Sequence, residues 1–305
     1  MNDSSQERPT ETGTENRRRG EDGFTWQAGA TSFSALHHAD APLLLPNAWD
    51  HASAVALAAQ GFEAVGTTSL GVAAAAGLPD GTAATREVTV RLARQLGGGT
   101  FLLSVDAEDG YGQGPDDVAA LARELAAAGA VGINLEDRLA SVQLHAAKIA
   151  AVKAAVPDLF VNARTDTYWL GDGGHVETCR RLDAYQQAGS DGVFVPGLSD
   201  PARITTLVTT LDVPLNILYS PLGPTVAQLG DLGVRRVSLG SLLYRRALGA
   251  ALGTAADIRA GRPPRGVAPT YTEIQALSAE GSTDAWHHRH HRVPVPVYRS
   301  LNTGS

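Results

Sequence analysis

The sequence predicts an α/β chain closed into a (β/α)8 barrel, the TIM-barrel architecture. Three observations lead there. Eight short β-rich apolar runs alternate strictly with Ala-, Leu- and Arg-rich stretches over roughly 220 residues. The runs read as hydrophobic on both faces, which demands a parallel sheet covered by helices. The stretches between them repeat apolar residues at i, i+3, i+4, the helical period. Eight such units in this length suit a closed barrel better than an open doubly wound sheet. An open sheet would need a Gly-rich phosphate turn after its first strand, and PNAWDHAS at 46–53 holds no G-x-G-x-x-G.

In chain order, residues 1–23 are polar, charged and nearly free of apolar side chains, so a disordered N-terminal tail is expected there. They lack the apolar core of a secretory signal. The barrel is expected over 24–261. Its strands are PLLLPN (42–47), EAVGTTS (63–69), TFLLSVD (100–106), VGINLED (131–137), LFVNARTD (159–166), GVFVPG (192–197), PLNILYS (214–220) and RRVSLGS (235–241). Helices are expected at 51–60, 86–96, 116–129, 142–156, 176–189, 201–211 and 225–233, with another from 242. Several close on AAG or AQG, where Gly supplies the left-handed C-terminal residue. From 262 to 305 a C-terminal extension follows: RPPRGVAPT breaks regular structure, 270–279 forms a short helix, and the rest is a tail with a His-rich tract at 287–291.

Charge and composition exclude several classes. Lys and Arg number 25 against 32 Asp and Glu, a net charge of −7, which argues against a nucleic-acid binder. No apolar run reaches the ~18 residues of a membrane span. The single cysteine, Cys179, can form neither an internal disulfide nor a Cys-based zinc cage, so a reducing, cytoplasmic setting is expected. With only Lys148 and Lys153 present, a Schiff-base lysine is a poor candidate.

In such a barrel the chemistry gathers at the C-terminal ends of the strands. The polar residues there are Asn47 and Asp50; Thr67, Thr68 and Ser69; Asp80 in the following loop; Asp106, Glu108 and Asp109; Asn134, Glu136 and Asp137; Asn162, Arg164 and Asp166; and Asn216. Asp106 and Glu108 are i and i+2, so they share a face, as do Asn134 and Glu136. Carboxylates converging on one mouth repel each other unless a cation neutralises them. Oxygen ligands without His or Cys select a hard ion, Mg²⁺ or Mn²⁺. The alternative makes these acids helix caps or solvated loop charges, as Asp116 and Asp117 are expected to be. Arg164 suits a substrate carboxylate or phosphonate through its planar fork, with a structural ion pair to Asp166 or Asp137 as the competing role. Thr68-Ser69-Leu70-Gly71 offers hydroxyls and backbone N–H groups as an anion seat.

Taken together, DAEDGYG (106–112), GTTSLG (66–71) followed by GLPDG (77–81), LED (135–137), NARTD (162–166) and VRRVSLGS resemble the isocitrate lyase/phosphoenolpyruvate mutase superfamily, in its order and spacing over about residues 40 to 260. The resemblance implies a Mg²⁺-dependent barrel, a homo-oligomer (dimer or tetramer) that exchanges a C-terminal helix, and small 2-oxo or 2-hydroxy acid substrates handled through an enolate-like species. It implies that Asp106 holds the metal directly, that Asp80, Glu108 and Glu136 hold it largely through water, and that Thr68, Ser69 and Arg164 form the substrate-anion site. Thr67 and Asn216 complete the expected substrate-binding set. Lyases of the superfamily carry K-[KR]-C-G-H soon after the E-D, and its phosphonate mutases a K-x-N-S-like stretch. Here EDRLASVQLHAAKIAAVKA has neither, and the loop is shorter.

The expected activity is therefore Mg²⁺-dependent C–C cleavage of a small 2-oxo or substituted dicarboxylic acid. A 2-oxo-acid decarboxylase or hydrolase of the oxaloacetate type, a phosphonopyruvate or PEP mutase-type enzyme, and a non-catalytic binding barrel are the alternatives. Asp106, Glu136, Arg164 and Tyr111 are the expected catalytic residues. Tyr111, in the Gly-Tyr-Gly turn, and a metal-bound water are the candidate proton donors. Cys179 lies mid-helix in the wrong segment for that task.

Overall fold

The computed structural model describes residues 32–112, 114–171 and 174–277. The expected N-terminal tail and His-rich tract lie outside these residues. The strands are β1 (Leu43–Leu45), β2 (Asn47–Ala48), β3 (Ala64–Thr67), β4 (Leu102–Asp106), β5 (Ala130–Glu136), β6 (Phe160–Arg164), β7 (Gly192–Val195), β8 (Leu215–Leu218) and β9 (Arg236–Ser238). The helices are α1 (Phe33–Leu36), α2 (His51–Ala59), α3 (Ser69–Ala76), α4 (Arg86–Leu96), α5 (Pro115–Ala127), α6 (Val142–Ala155), α7 (His175–Gln187), α8 (Pro201–Thr210), α9 (Val226–Asp231), α10 (Leu242–Arg259) and α11 (Tyr271–Ala276).

All strand pairings are parallel, in the order β1-β9-β8-β7-β6-β5-β4-β3-β2. The two ends of that list are halves of one strand. Pro46 has no N–H to give a ladder, so the chain steps there: β1 pairs with β9 and β2 with β3. The ring closes across the step through Asn47. Its amide nitrogen donates to the Thr67 carbonyl at 2.7 Å, and its oxygen accepts from Leu239 N–H (3.0 Å) and Gly240 N–H (2.8 Å). Gly66 makes room for this, since a Cβ there would lie 2.7 Å from the Asn47 nitrogen.

The outward faces of the strands carry the apolar core. Val105, Ile133, Leu135, Val161, Val193, Val195, Ile217 and Val237 pack under Leu92, Leu121, Leu125, Ile149, Leu182 and Leu207 of the helices. The inward face differs from the sequence expectation of apolar strands on both sides. The alternate positions are Ser104, Asn134, Asn162, Asn216, Arg236 and Ser238, all buried, and several bond to one another. At the N-terminal end of the barrel, His37 stacks on Phe160, Phe33 of α1 meets the same ring edge-on, and together they plug the floor. Burial lowers His37 to about 3.

Two helices lie outside the expected set, α1 and α3. β3 is followed by α3 as well as α4, because the Ala-rich stretch after Thr68 is a strong helix former that its Gly residues masked. Gly77 ends α3 in the left-handed conformation. α10 runs on to Arg259. α11 falls within the short helix expected at 270–279. No helix among the described residues is long and apolar enough to cross a membrane.

Candidate active site

At the C-terminal ends of the strands lies a small cavity of about 100 Å³. Thr68, Ser69, Asp80, Asp106, Asn134 and Arg164 supply its polar wall, and Trp169, Phe194, Pro196 and Leu218 the apolar one. Pockets for drug-sized ligands run to ≈300–1,000 Å³, so this one suits a compact acid.

Asp106 ends β4, and its position is fixed from both sides. Its backbone N–H donates to Thr67 Oγ1 at 2.8 Å, and its Oδ2 accepts from Ser69 N–H at 3.1 Å. The carboxylate therefore sits at the N-terminus of α3, where the helix dipole favours negative charge. This also corrects the expected anion seat: Ser69 N–H serves Asp106, and Thr68 N–H serves the Ala48 carbonyl. The hydroxyl-bearing residues Thr68 and Ser69 still face the cavity.

The DAEDGYG turn holds a run of left-handed residues: Glu108 (φ 48°), Gly110 (φ 92°) and Tyr111 (φ 54°). Only glycine fits at 110, where a Cβ would lie 2.6 Å from Val118. The two non-glycine residues cost about 1–2 kcal/mol each. In return Glu108 turns inward, where Oε1 accepts from buried Thr85 and Oε2 is buried without a partner. Burial raises Glu108, and Asp106 and Asp80 add to the rise. Asp80 is raised by burial and by Asp106, against the Ser69 hydroxyl and Arg164.

On β5 and β6, Glu136 and Arg164 are register partners. Arg164 Nη1 meets Glu136 Oε2 at 2.9 Å, and Nε meets Asp166 Oδ1 at 2.7 Å. Burial, with Asp106, Asp166 and Glu108, pushes Glu136 up to about 8, and Arg164 offsets only part of this. Burial opposes the Arg164 charge as well, but the surrounding acids hold its pKa above the usual value. Arg164 thus carries the ion pair to Asp166 and still lines the cavity.

Other expected residues go elsewhere. Tyr111 does not line the cavity: its hydroxyl donates to Thr89 Oγ1 at 3.2 Å, and burial pushes it above the usual tyrosine range. Thr67 is buried and positions Asp106. Asn216 lies deeper in the barrel and donates to Ser238 at 3.0 Å. Asp50 caps α2. Asp137 is structural. It accepts from Arg181 (2.9 Å), Tyr185 (2.7 Å), Leu139 N–H (3.0 Å) and Asp166 N–H (3.1 Å), and although burial opposes its charge, these bonds hold its carboxyl below the usual range. Cys179 is half-buried on α7, its thiol raised by burial.

Sequence reasoning missed Trp169, the apolar wall and Thr85. Strand-end position would have flagged Phe194 and Leu218. Nothing in sequence flags Thr85, which reaches Glu108 from a loop. It also missed Arg138, which follows the E-D. Arg138 and Leu139 both take left-handed backbone (φ 47° and 59°), the cost of the short loop, and Arg138 donates to the Gly81 carbonyl, tying that loop to the Asp80 turn.

The acids fit a divalent ion. Three carboxylates raised by burial and mutual repulsion, and an orphaned Glu108 oxygen, are what a hard cation would satisfy. Among the described residues no three His, Cys, Asp or Glu converge tightly enough to enclose an ion by themselves. Mg²⁺ characteristically keeps several waters, so a looser ring still suits it.

Comparison with known proteins defines the class. The pattern of the phosphoenolpyruvate phosphomutase family matches residues 33–259. An uncharacterized protein of Mycobacterium tuberculosis is 46% identical over 251 residues, covering 80% of this chain and 95% of that one. The 2-methylisocitrate lyase of Bacillus subtilis is 29% identical over 210 residues, 64% of this chain and 69% of its own. A structure of oxaloacetate acetylhydrolase with the product oxalate superposes with a TM-score of 0.73 at 25% identity, covering 85% of this chain and 96% of that one. The chain belongs to the phosphoenolpyruvate phosphomutase family, within the isocitrate lyase/PEP mutase superfamily of TIM barrels. It is an enzyme of that lyase-and-mutase class.

Proposed function

We propose that this chain is a Mg²⁺- or Mn²⁺-dependent carbon–carbon lyase for a small 2-oxo or substituted dicarboxylic acid. The observation that carries this is that Asp80, Asp106 and Arg164 line one cavity of about 100 Å³, with Glu108 and Glu136 outside its lining but near enough for the charge of Asp106 to raise them both. Asp106 would hold the ion directly, and Asp80, Glu108 and Glu136 largely through water, as the family resemblance implies. A bound Mg²⁺ supplies Lewis-acid stabilisation for an oxygen that gains charge as the bond breaks. Arg164 orients a substrate carboxylate, helped by the Thr68 and Ser69 hydroxyls, while Phe194, Pro196 and Trp169 exclude water from its carbon chain. An oxaloacetate-type decarboxylase or hydrolase is the second reading. It is favoured by the loop after Glu136, which carries Arg138 and Leu139 and no thiol or imidazole acid.

Chelation tests the metal assignment without turnover. In the metal-free protein, Glu136 binds its proton up to about pH 8, whereas the unfolded chain releases it near 4.5. The folded state then holds more protons between these values, so stability falls as pH rises. Tm of the chelated protein should drop between pH 6 and pH 8, and saturating Mg²⁺ should shrink that drop. A Tm difference that Mg²⁺ leaves untouched counts against the site.

Because Cys179 lies on α7, outside the cavity wall, Cys179→Ala and thiol alkylation should leave turnover within about twofold, a change under ~0.5 kcal/mol. Alkylation that stops turnover and is blocked by substrate would contradict this. Tyr111 is assigned to positioning the turn.

A homo-oligomer, dimer or tetramer, is part of the same reading. Along α10 only Asp257 is buried, and Leu248, Leu252 and Ile258 stand exposed. A monomer by light scattering at working concentration would remove it. The single cysteine supports a reducing, cytoplasmic setting.

A further inference from the structure

Beneath the cavity lies a buried cation that makes no direct ion pair with any described acid, although the charge of Asp106 reaches it. Arg236 of β9 is 1% exposed, and no described carboxylate lies within ion-pair distance of it. Buried charges are nearly always paired. Burial lowers Arg236 to about 9 against the pull of the Asp106 carboxylate, which leaves it charged at neutral pH. Its Nε donates to Ser238 Oγ at 3.1 Å and its Nη2 to Asn134 Oδ1 at 3.1 Å, while Nη1 is buried without a partner.

The contact to Asn134 settles the direction of that amide. Guanidinium nitrogens only donate, so the Asn134 atom facing Arg236 must be the oxygen. The same oxygen accepts from Asn162 Nδ2 at 2.9 Å, which uses its second lone pair. The Asn134 NH2 group is thereby turned away from the network, and Asn134 is one of the residues lining the cavity. An NH2 group can only donate, and the Arg236 guanidinium holds the oxygen branch of the same side chain, with Asp106 its register neighbour on β4.

We propose that Asn134 is a specificity-determining residue whose NH2 donates to an anionic oxygen at the inner end of the substrate, and that Arg236 is the positioning residue that fixes its orientation. The proposal rests on the small-acid reading of the cavity and deepens it. The inner end of the substrate is an acceptor, a carboxylate or a 2-oxo oxygen. An ammonium or amide N–H placed against Asn134 meets a second donor and is disfavoured there. Asn162 completes the frame by donating to the Asn134 oxygen, and Ser238 by accepting from Arg236 Nε.

Oxalate is the probe, and it is titrated into the full chain saturated with Mn²⁺. Asn134→Asp keeps an oxygen for Arg236 and Asn162 but replaces the donor with an acceptor. Its oxalate Kd should rise at least tenfold while Mn²⁺ binding alone, read by electron paramagnetic resonance, persists. A Kd within threefold of the parent chain's overturns the proposal. In case that variant fails to fold, ¹⁵N spectra of the unsubstituted, Mg²⁺-loaded chain give an independent reading: the Asn134 side-chain NH2 pair should shift on adding oxalate, and a pair that stays still overturns the proposal. Arg236→Lys, still donor-only, should keep that shift. Arg236→Gln, which can accept and so lets the amide turn over, should lose it. Equal behaviour of the two overturns the positioning role. If the unsubstituted chain binds no oxalate with either metal, the small-acid reading fails and this inference fails with it. If it binds and the Asn134 tests fail, only this inference falls.

Discussion

Asp106→Ala should lower turnover by on the order of 10³-fold or more, the scale of losing the main electrostatic support for a developing oxyanion. The fold should survive. Asp106 contributes one hydrogen bond, from Ser69 N–H, and its charge opposes those of Asp80, Glu108 and Glu136. Removing it relieves that repulsion, so Tm in chelator should stay level or rise. The variant should also lose Mg²⁺-dependent stabilisation, which separates loss of the ion from damage to the barrel. A variant that unfolds, or one that keeps normal turnover, would each contradict the assignment.

Arg164→Lys is expected to lower kcat/KM by roughly 10²-fold, about 2.7 kcal/mol at 1.36 kcal/mol per tenfold. Lysine keeps the charge but loses the fork that reaches Glu136 through Nη1 and Asp166 through Nε while facing the cavity. Glu136 should then lose part of its compensation and rise further, so the acid limb of the pH–rate profile should move to higher pH. Near-normal kinetics with lowered Tm would make Arg164 a structural residue only.

Much of this was legible in the chain because the signals are local. The strict alternation of runs predicts the barrel, but the i, i+2 strand spacing expected for Asp106 and Glu108 does not apply, since β4 ends at Asp106 and left-handed backbone turns Glu108 inward. Spacing could not show that Pro46 splits the first strand, since the closure depends on Asn47 reaching both Thr67 and Gly240. Nor could it show the polar inward face. Ser104, Asn134, Asn162, Asn216 and Arg236 alternate with Val and Ile in short runs whose mean character reads as apolar. Tyr111 stood beside the acids in sequence, yet the left-handed turn at Glu108 and Gly110 sends its hydroxyl to Thr89. The helix at Ser69–Ala76 was hidden by glycines, and with it the reason Asp106 is anchored by Ser69 N–H.

On the proposed function, these carboxylates serve a divalent ion in breaking a bond of a small 2-oxo or 2-hydroxy diacid. A single NMR screen tests it: a panel of such diacids, each incubated with the full chain in Mg²⁺ and again in excess chelator, followed for pyruvate, oxalate and other small-acid products. Product should form from at least one diacid with Mg²⁺ and from none in chelator. No turnover of any panel member, or the same rate in chelator, would contradict it.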